Sequence, residues 1–217
     1  MKLEDFLQTK YNYNPDIKDA IQSYIEQWKS WYKGNVKSFH NYFIYNGNKK
    51  VKQHRYTMNM AKEISEDWSD ILWSEKCEIS LKDDKSQKEF NKLVDELDLY
   101  AIINRAIEKS GALGTTATVT SVYDIMQNED GMYLDVSNAK TRVDTIDIDW
   151  IYPLSWNNRE ITECAFGSVE YAKGIKYVIC TVHKLNEQGN YVIYNHLFRE
   201  TNGNLSEITD EQGTMQE

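Results

Sequence analysis

The chain has 217 residues, with six Trp, fifteen Tyr and only two Pro. Aromatics at that density argue against a disordered chain, and so little Pro argues against a linker or polyproline segment. A formal net charge of −9 argues against a protein that wraps nucleic acid on a basic face. It does not argue against a smooth channel that DNA passes through, and it keeps a concentrated assembly soluble.

The length allows one large domain or two small ones. Cys77, Cys164 and Cys180 are odd in number and show no CxxC spacing, so they read as buried reduced thiols. The start, Met1-Lys2-Leu3-Glu4-Asp5, has no apolar core of a signal peptide. No apolar run approaches about 18 residues, so no membrane partner is expected. These features predict a cytoplasmic protein, in which the Asn204-Leu205-Ser206 sequon has no role.

Asn14-Pro15-Asp16 signals a helix start: a cap residue, a Pro preset for the first turn, and an acid at the helix N-terminus. Ile17, Ala20, Ile21, Tyr24, Ile25, Trp28, Trp31 and Tyr32 then form one wide apolar face, and Gly34 ends it. Phe39, Tyr42, Phe43, Ile44 and Tyr45 lead into Asn46-Gly47-Asn48 and Lys49-Lys50-Val51, which predicts a hairpin or extended arm over 39–52. A second amphipathic helix follows at about 55–74, marked by Met60, Ala61, Ile64, Trp68, Ile71 and Leu72.

Cys77, Ile79 and Leu81 alternate with polar residues and predict a short strand. Phe90, Leu93, Val94 and Leu97 set one helical phase, and Leu99, Ile102, Ile103, Ala106 and Ile107 set another. The slip near Asp98 predicts two helices or one kinked helix. After Gly111-Ala112-Leu113-Gly114 the chain becomes β-branched and aromatic: 115–123, 145–152, 177–182 and 191–198 read as strands. Asn128-Glu129-Asp130-Gly131 and Asn186 to Asn190 read as hairpin turns. From Asn204 the chain is polar and turn-rich, like a frayed end. The predicted class is α+β, with amphipathic helices first and a mostly antiparallel sheet after. The predicted regions are a helical part over 1–112 with an arm at about 35–54, a β part over 113–205, and a frayed end or truncated connection over 206–217.

Local signatures of catalysis are missing from the sequence. Gly111 to Thr116 lacks the Lys of a phosphate-binding loop, and its helix precedes the glycines instead of following them. His40, His54, His183 and His196 offer no i, i+4 pair on a helix, although His183 and His196 could meet across a hairpin. Asp144, Asp147 and Asp149 could hold Mg²⁺ in a nucleic-acid enzyme. Ile146, Ile148 and Trp150 alternate with the last two, which reads instead as a half-solvated strand. No catalytic, cofactor-binding or metal-ligating residue is assigned, and no enzyme is expected.

The stretch from Trp31 to Tyr56 interleaves Lys33, Lys37, Lys49, Lys50, Lys52, His54 and Arg55 with Phe39, Tyr42, Phe43 and Tyr45. Aromatics beside cations can stack bases and grip phosphates. They can equally dock on an acidic neighbouring subunit, and the acidic balance of the chain favours that second reading. Phe39, Tyr42, Phe43, Tyr45, Lys49 and Lys50 are the subunit-contact candidates.

Trp31-Tyr32-Lys33-Gly34-Asn35-Val36-Lys37-Ser38-Phe39-His40-Asn41-Tyr42, followed by Ile44-Tyr45-Asn46-Gly47, resembles the amino-terminal signature of portal proteins from tailed phages of Gram-positive bacteria. Asn59 to Lys62, Asp67-Trp68, Leu72 and Glu75-Lys76 resemble the same family's next helix and strand. Tyr152 to Asn158 and Ile161 to Phe166 are similar to its sheet region. The resemblance implies a virion protein, assembled in the host cytoplasm as a ring, usually of twelve subunits, at one capsid vertex. Such a ring contacts capsid and scaffolding proteins, docks the terminase, passes double-stranded DNA and later holds the head–tail adaptor. The family's stem, clip and crown find no counterpart in these residues, so the expectation is the wing-containing amino-terminal half. A head–tail adaptor without a channel is the alternative.

Overall fold

Asn14 and Pro15 open the longest helix, as their chemistry dictates. The Asp16 N–H donates to the Asn14 side chain over 3.1 Å, and the N–H groups of Lys18 and Asp19 both reach the Pro15 carbonyl. In this computed structural model the described residues are 1–74, 77–123, 126–127, 134–135, 139–186 and 188–208. They form two compact units, one of Met1–Ser23 with Ile146–Glu217, the other of Tyr24–Thr145. The α+β reading holds.

The first unit joins a short helix to a meandering sheet. Helix α1 (Leu3–Tyr11) carries Glu4 and Asp5 in its first turn and Lys10 in its last, each sign favoured by the helix dipole. Leu3, Phe6 and Leu7 form its buried stripe. Five strands follow in the spatial order β11-β10-β9-β8-β7: β7 (Ile151–Asn157), β8 (Glu160–Ala172), β9 (Ile175–Leu185), β10 (Tyr191–Thr201) and β11 (Asn204–Glu207). Every neighbouring pair is antiparallel. One face buries Tyr152, Ala165, Val178, Cys180, Val182 and Phe198 against α1 and Tyr13. Phe198 and Phe6 meet edge to face at 4.9 Å. Full burial of a phenylalanine contributes about 1.5–3 kcal/mol.

Two-residue turns set the register at two joints of this meander. Lys173 (φ 51°) and Gly174 (φ 78°) join β8 to β9, and Asn202 (φ 52°) and Gly203 (φ 80°) join β10 to β11. Two successive positive φ angles suit the twist of flanking strands. Gly167 is fixed for a different reason: a Cβ there would stand 2.4 Å from Cε3 of Trp150. Lys18, from the start of helix α2 (Asp16–Tyr32), donates to the Asp149 carbonyl at 2.5 Å and pairs with Glu4 at 3.3 Å. Its ammonium lies 4.0 Å from the centre of the Tyr152 ring.

The second unit holds the end of α2, helix α3 (Lys37–His40), a hairpin of β1 (Asn41–Tyr45) and β2 (Lys50–His54), and helices α4 (Met60–Leu72), α5 (Asp84–Leu97) and α6 (Leu99–Leu113). It also holds β3 (Thr116–Tyr123), which lies beside β6 (Lys140–Asp147), and the pair β4 (Met126–Gln127) and β5 (Leu134–Asp135). The helix break foreseen near Asp98 is there: Asp98 takes a left-handed conformation (φ 50°) between α5 and α6. Gly114 (φ 86°) ends α6.

Four expectations are corrected. Cys77 to Leu81 is not a strand. The Gln87 side chain donates to the Ile79 carbonyl and accepts from the Leu81 N–H, and Tyr100 donates to the Cys77 carbonyl. Side chains thus satisfy the backbone groups a sheet neighbour would have taken. The strand predicted over 145–152 is interrupted by a turn of 3-10 helix at Ile148–Trp150, which buries Ile148. The segment from Asn204 begins as β11, tied to the start of the chain by Leu205 N–H to the Met1 carbonyl at 2.9 Å. Cys77 is half-buried in that irregular segment, whereas Cys180 lies in the sheet core; all three thiols are free. The turn read at 128–131 lies outside the described residues.

Candidate functional site

The hairpin β1–β2 realises the Asn-Gly turn signal. Asn46 Oδ1 accepts from the N–H groups of Asn48 and Lys49, and the Asn46 N–H donates to the Lys49 carbonyl. Gly47 sits at φ 89°. The register pairs Asn41 with His54, Phe43 with Lys52 and Tyr45 with Lys50. Directly opposed residues share a face, so Phe43, Tyr45, Lys50, Lys52 and His54 form one face of the ribbon. All five are exposed, Phe43 by 65% and Tyr45 by 68%. Tyr42, Ile44, Val51 and Gln53 form the other face.

The base of the hairpin is built from its own cation. Arg55 donates from its backbone to the His40 carbonyl at 2.7 Å and from its guanidinium to the Phe39 carbonyl at 3.0 Å. The same guanidinium stands 4.3 Å from the centre of the Tyr42 ring and 4.9 Å from that of Phe39. His40 is buried, and its Nδ1–H donates to the Val36 carbonyl at 2.8 Å. Phe39 also packs on Trp31, with centroids 5.3 Å apart. Gly34 is needed beneath it: a Cβ would lie 2.1 Å from Asn59 Oδ1 and 2.7 Å from Thr57 Oγ1. A concavity beside this base is lined by Ser30, Trp31, Asn35, Lys37 and Phe39.

The six candidate residues therefore separate. Phe43, Tyr45 and Lys50 share the exposed face, and Lys49 lies in the turn. Phe39 and Tyr42 flank Arg55 at the base and fix the hairpin's geometry. Sequence reading missed Lys52 as a member of the exposed face. The signal was available in part: with two or four residues in the turn after Tyr45, residues 50 and 52 fall on the face of 43 and 45, although only the observed four-residue loop puts 52 opposite 43.

A second exposed surface lies on α4. Its Ser65 and Ser69 are buried, whereas Met60, Ile64, Trp68, Ile71 and Leu72 are all exposed. The usual inward apolar stripe is thus turned outward. Helix α6 explains this: Asn104 accepts from Ser69 Oγ at 3.2 Å and donates to Asp70 Oδ1 at 2.9 Å and to the Trp73 carbonyl at 3.1 Å. Trp73 stacks on Tyr100 at 5.5 Å, and Tyr32 donates to Glu108 of the same helix.

The two sheet histidines are bound into the fold. His183 pairs with Ile193 and His196 with Cys180, so the two histidines do not oppose each other across the hairpin. His196 Nδ1–H donates to Glu207 at 2.7 Å, leaving Nε2 to accept from the Tyr11 hydroxyl at 2.6 Å. Burial holds the His196 and His183 pKa values below the ordinary one and pushes the Cys180 thiol up to about 12. Arg142 pairs with Asp144 at 2.8 Å. Among the described residues no three of His, Cys, Asp or Glu stand close enough to hold a metal. No helix among them is long and apolar enough to cross a membrane.

Comparison with protein-family models matches residues 12–200 to the phage portal protein family, SPP1 Gp6-like. The chain belongs to this family. The match covers the hairpin, all of α2 to α6 and nearly all of the sheet. Membership gives the chain a structural role in the phage portal and a place among virion components. A search of curated proteins finds no match.

Proposed function

We propose that this chain is the wing-containing part of a portal protein, and that its hairpin docks on the adjacent subunit of a ring at the capsid vertex. In that ring DNA passes through the channel during packaging and ejection. Terminase and the head–tail adaptor attach to it in turn, and capsid and scaffolding proteins surround it. Assembly takes place in the host cytoplasm. The observation that carries the reading is the hairpin face itself. Phe43 and Tyr45 are about two-thirds exposed on a ribbon whose own turn and base are hydrogen-bonded through Asn46 and Arg55. Two large exposed aromatics side by side on one ribbon face support the reading of an interaction surface.

Rings are built from heterologous contacts, in which an element that leaves its own core fits a different surface of the next copy. Phe43→Asp together with Tyr45→Asp should leave the fold intact, since neither ring is buried. The double variant should weaken self-association at least about tenfold, the loss expected when exposed aromatic anchors are removed from an interface. Sedimentation velocity over a concentration series reads this directly. Unchanged association would reject the hairpin as a subunit contact.

A further inference from the structure

We propose that the hairpin face of Phe43, Tyr45, Lys50 and Lys52 seats on the α4 face of Ile64, Trp68 and Ile71 in the next copy, with its lysines against Glu63 and Asp67. The inference rests on the subunit-contact reading above and adds the acceptor surface which that reading leaves open.

Charge supports the match. From Trp31 to Lys62 the sequence contains no Asp or Glu, although the chain has 34 acidic residues. Directly after it, α4 brings Glu63, Glu66, Asp67 and Asp70 within eight positions. Glu66 is held by Lys62 at 2.9 Å on the side of the helix away from the exposed stripe. At 100° per residue, Asp67 and Glu63 fall along one margin of the stripe of Met60, Ile64, Trp68 and Ile71. Ile64, Trp68 and Ile71 are exposed by 50%, 58% and 72%.

Spacing supports it as well. Lys50 and Lys52 lie two residues apart on one face of a strand, a separation of ~6.8 Å. Glu63 and Asp67 lie four apart on a helix, a separation of ~6 Å. Phe43 and Tyr45 repeat the strand interval beside the lysines, and Ile64 and Trp68 repeat the helix interval beside the acids. One row of each kind therefore faces one row of its complement. Neither surface is complementary to itself: two hairpin faces would oppose lysines, and two α4 faces would oppose carboxylates. The contact is head-to-tail, which is the kind that closes rings or runs into filaments.

Charge reversal in the whole chain tests this. Lys50→Glu with Lys52→Glu, and separately Glu63→Lys with Asp67→Lys, should each raise the dissociation constant of self-association at least about tenfold. The quadruple variant, which restores opposite charges in reversed order, should recover association to near the wild-type value. Far-ultraviolet circular dichroism on each variant confirms the fold. If the hairpin pair loses association and the α4 pair does not, the hairpin remains a subunit contact and α4 is overturned as its acceptor. If neither pair changes association, or the wild type stays monomeric at every concentration, both ideas fail. If Lys50→Glu with Lys52→Glu abolishes binding to a double-stranded DNA fragment while self-association is unchanged, the face contacts nucleic acid and the proposal is overturned.

Discussion

Replacing Asn104 by Ala probes the arrangement that turns the apolar face of α4 outward. Asn104 is half-buried on α6 and makes three hydrogen bonds to the α4 end: from Ser69, to Asp70 and to the Trp73 carbonyl. Their losses are not equal. Ser69 Oγ also donates to the Glu66 carbonyl at 2.8 Å, so it stays satisfied without Asn104. The bond to Asp70 is solvent-exposed, and water replaces it cheaply. The Trp73 carbonyl is part-buried and loses its side-chain donor. Leaving such an acceptor unpaired costs about 1–3 kcal/mol, and the other two bonds add about 0.5 kcal/mol each. The expected loss is about 2–4 kcal/mol. Urea unfolding followed by tryptophan fluorescence measures it, because Trp73 stacks on Tyr100 at this joint. Ser69→Ala is the control, and its cost should stay below about 1 kcal/mol. A loss below about 0.5 kcal/mol for Asn104→Ala would refute the claim that Asn104 holds α4 in place.

Gly167→Ala should cost about 1–3 kcal/mol in the same assay, because the added methyl collides with the Trp150 ring that packs on the core. Folding stability should also depend on pH through His196 and His183. Their folded pKa values lie below the ordinary 6.5, so the unfolded chain takes up protons first as pH falls. The stabilisation is complete above that value and is lost below it. The urea midpoint should therefore drop between about pH 7 and about pH 5, and less so in His196→Gln; a flat profile would contradict the burial argument.

Legibility in the sequence followed the range of the interactions. The turn of the hairpin and the break at Asp98 are set by residues within a few positions, and both were readable from Asn46-Gly47 and from the change of helical phase. Helix α1 was not, because Leu3, Phe6 and Leu7 make too short a stripe to signal a helix before a sheet is known to cover it. The Asn202-Gly203 turn carried the same signal as Asn46-Gly47, but β11 spans only four residues and gives little alternation. Cys77 to Leu81 had the alternation of a strand and no strand to pair with, since Gln87 took its backbone groups. The orientation of α4 was least accessible. Its stripe reads as a core face, and it takes contacts more than 30 residues apart in sequence, such as Ser69 with Asn104, to show that the opposite side packs inward.

For the site, the basic aromatic stretch was visible as composition. The pairing of Phe43 with Lys52 and Tyr45 with Lys50 turned that composition into a surface. It also removed Arg55 from the set of available cations, since the hairpin base uses it.

The most direct test of the account is electron microscopy of the purified chain at the highest concentration at which it associates. Head-to-tail closed rings, or short open arcs of them, with the hairpin of each copy lying on α4 of the next, are the expected result. Two-fold symmetric dimers, or particles in which the hairpin points into solvent, would contradict it.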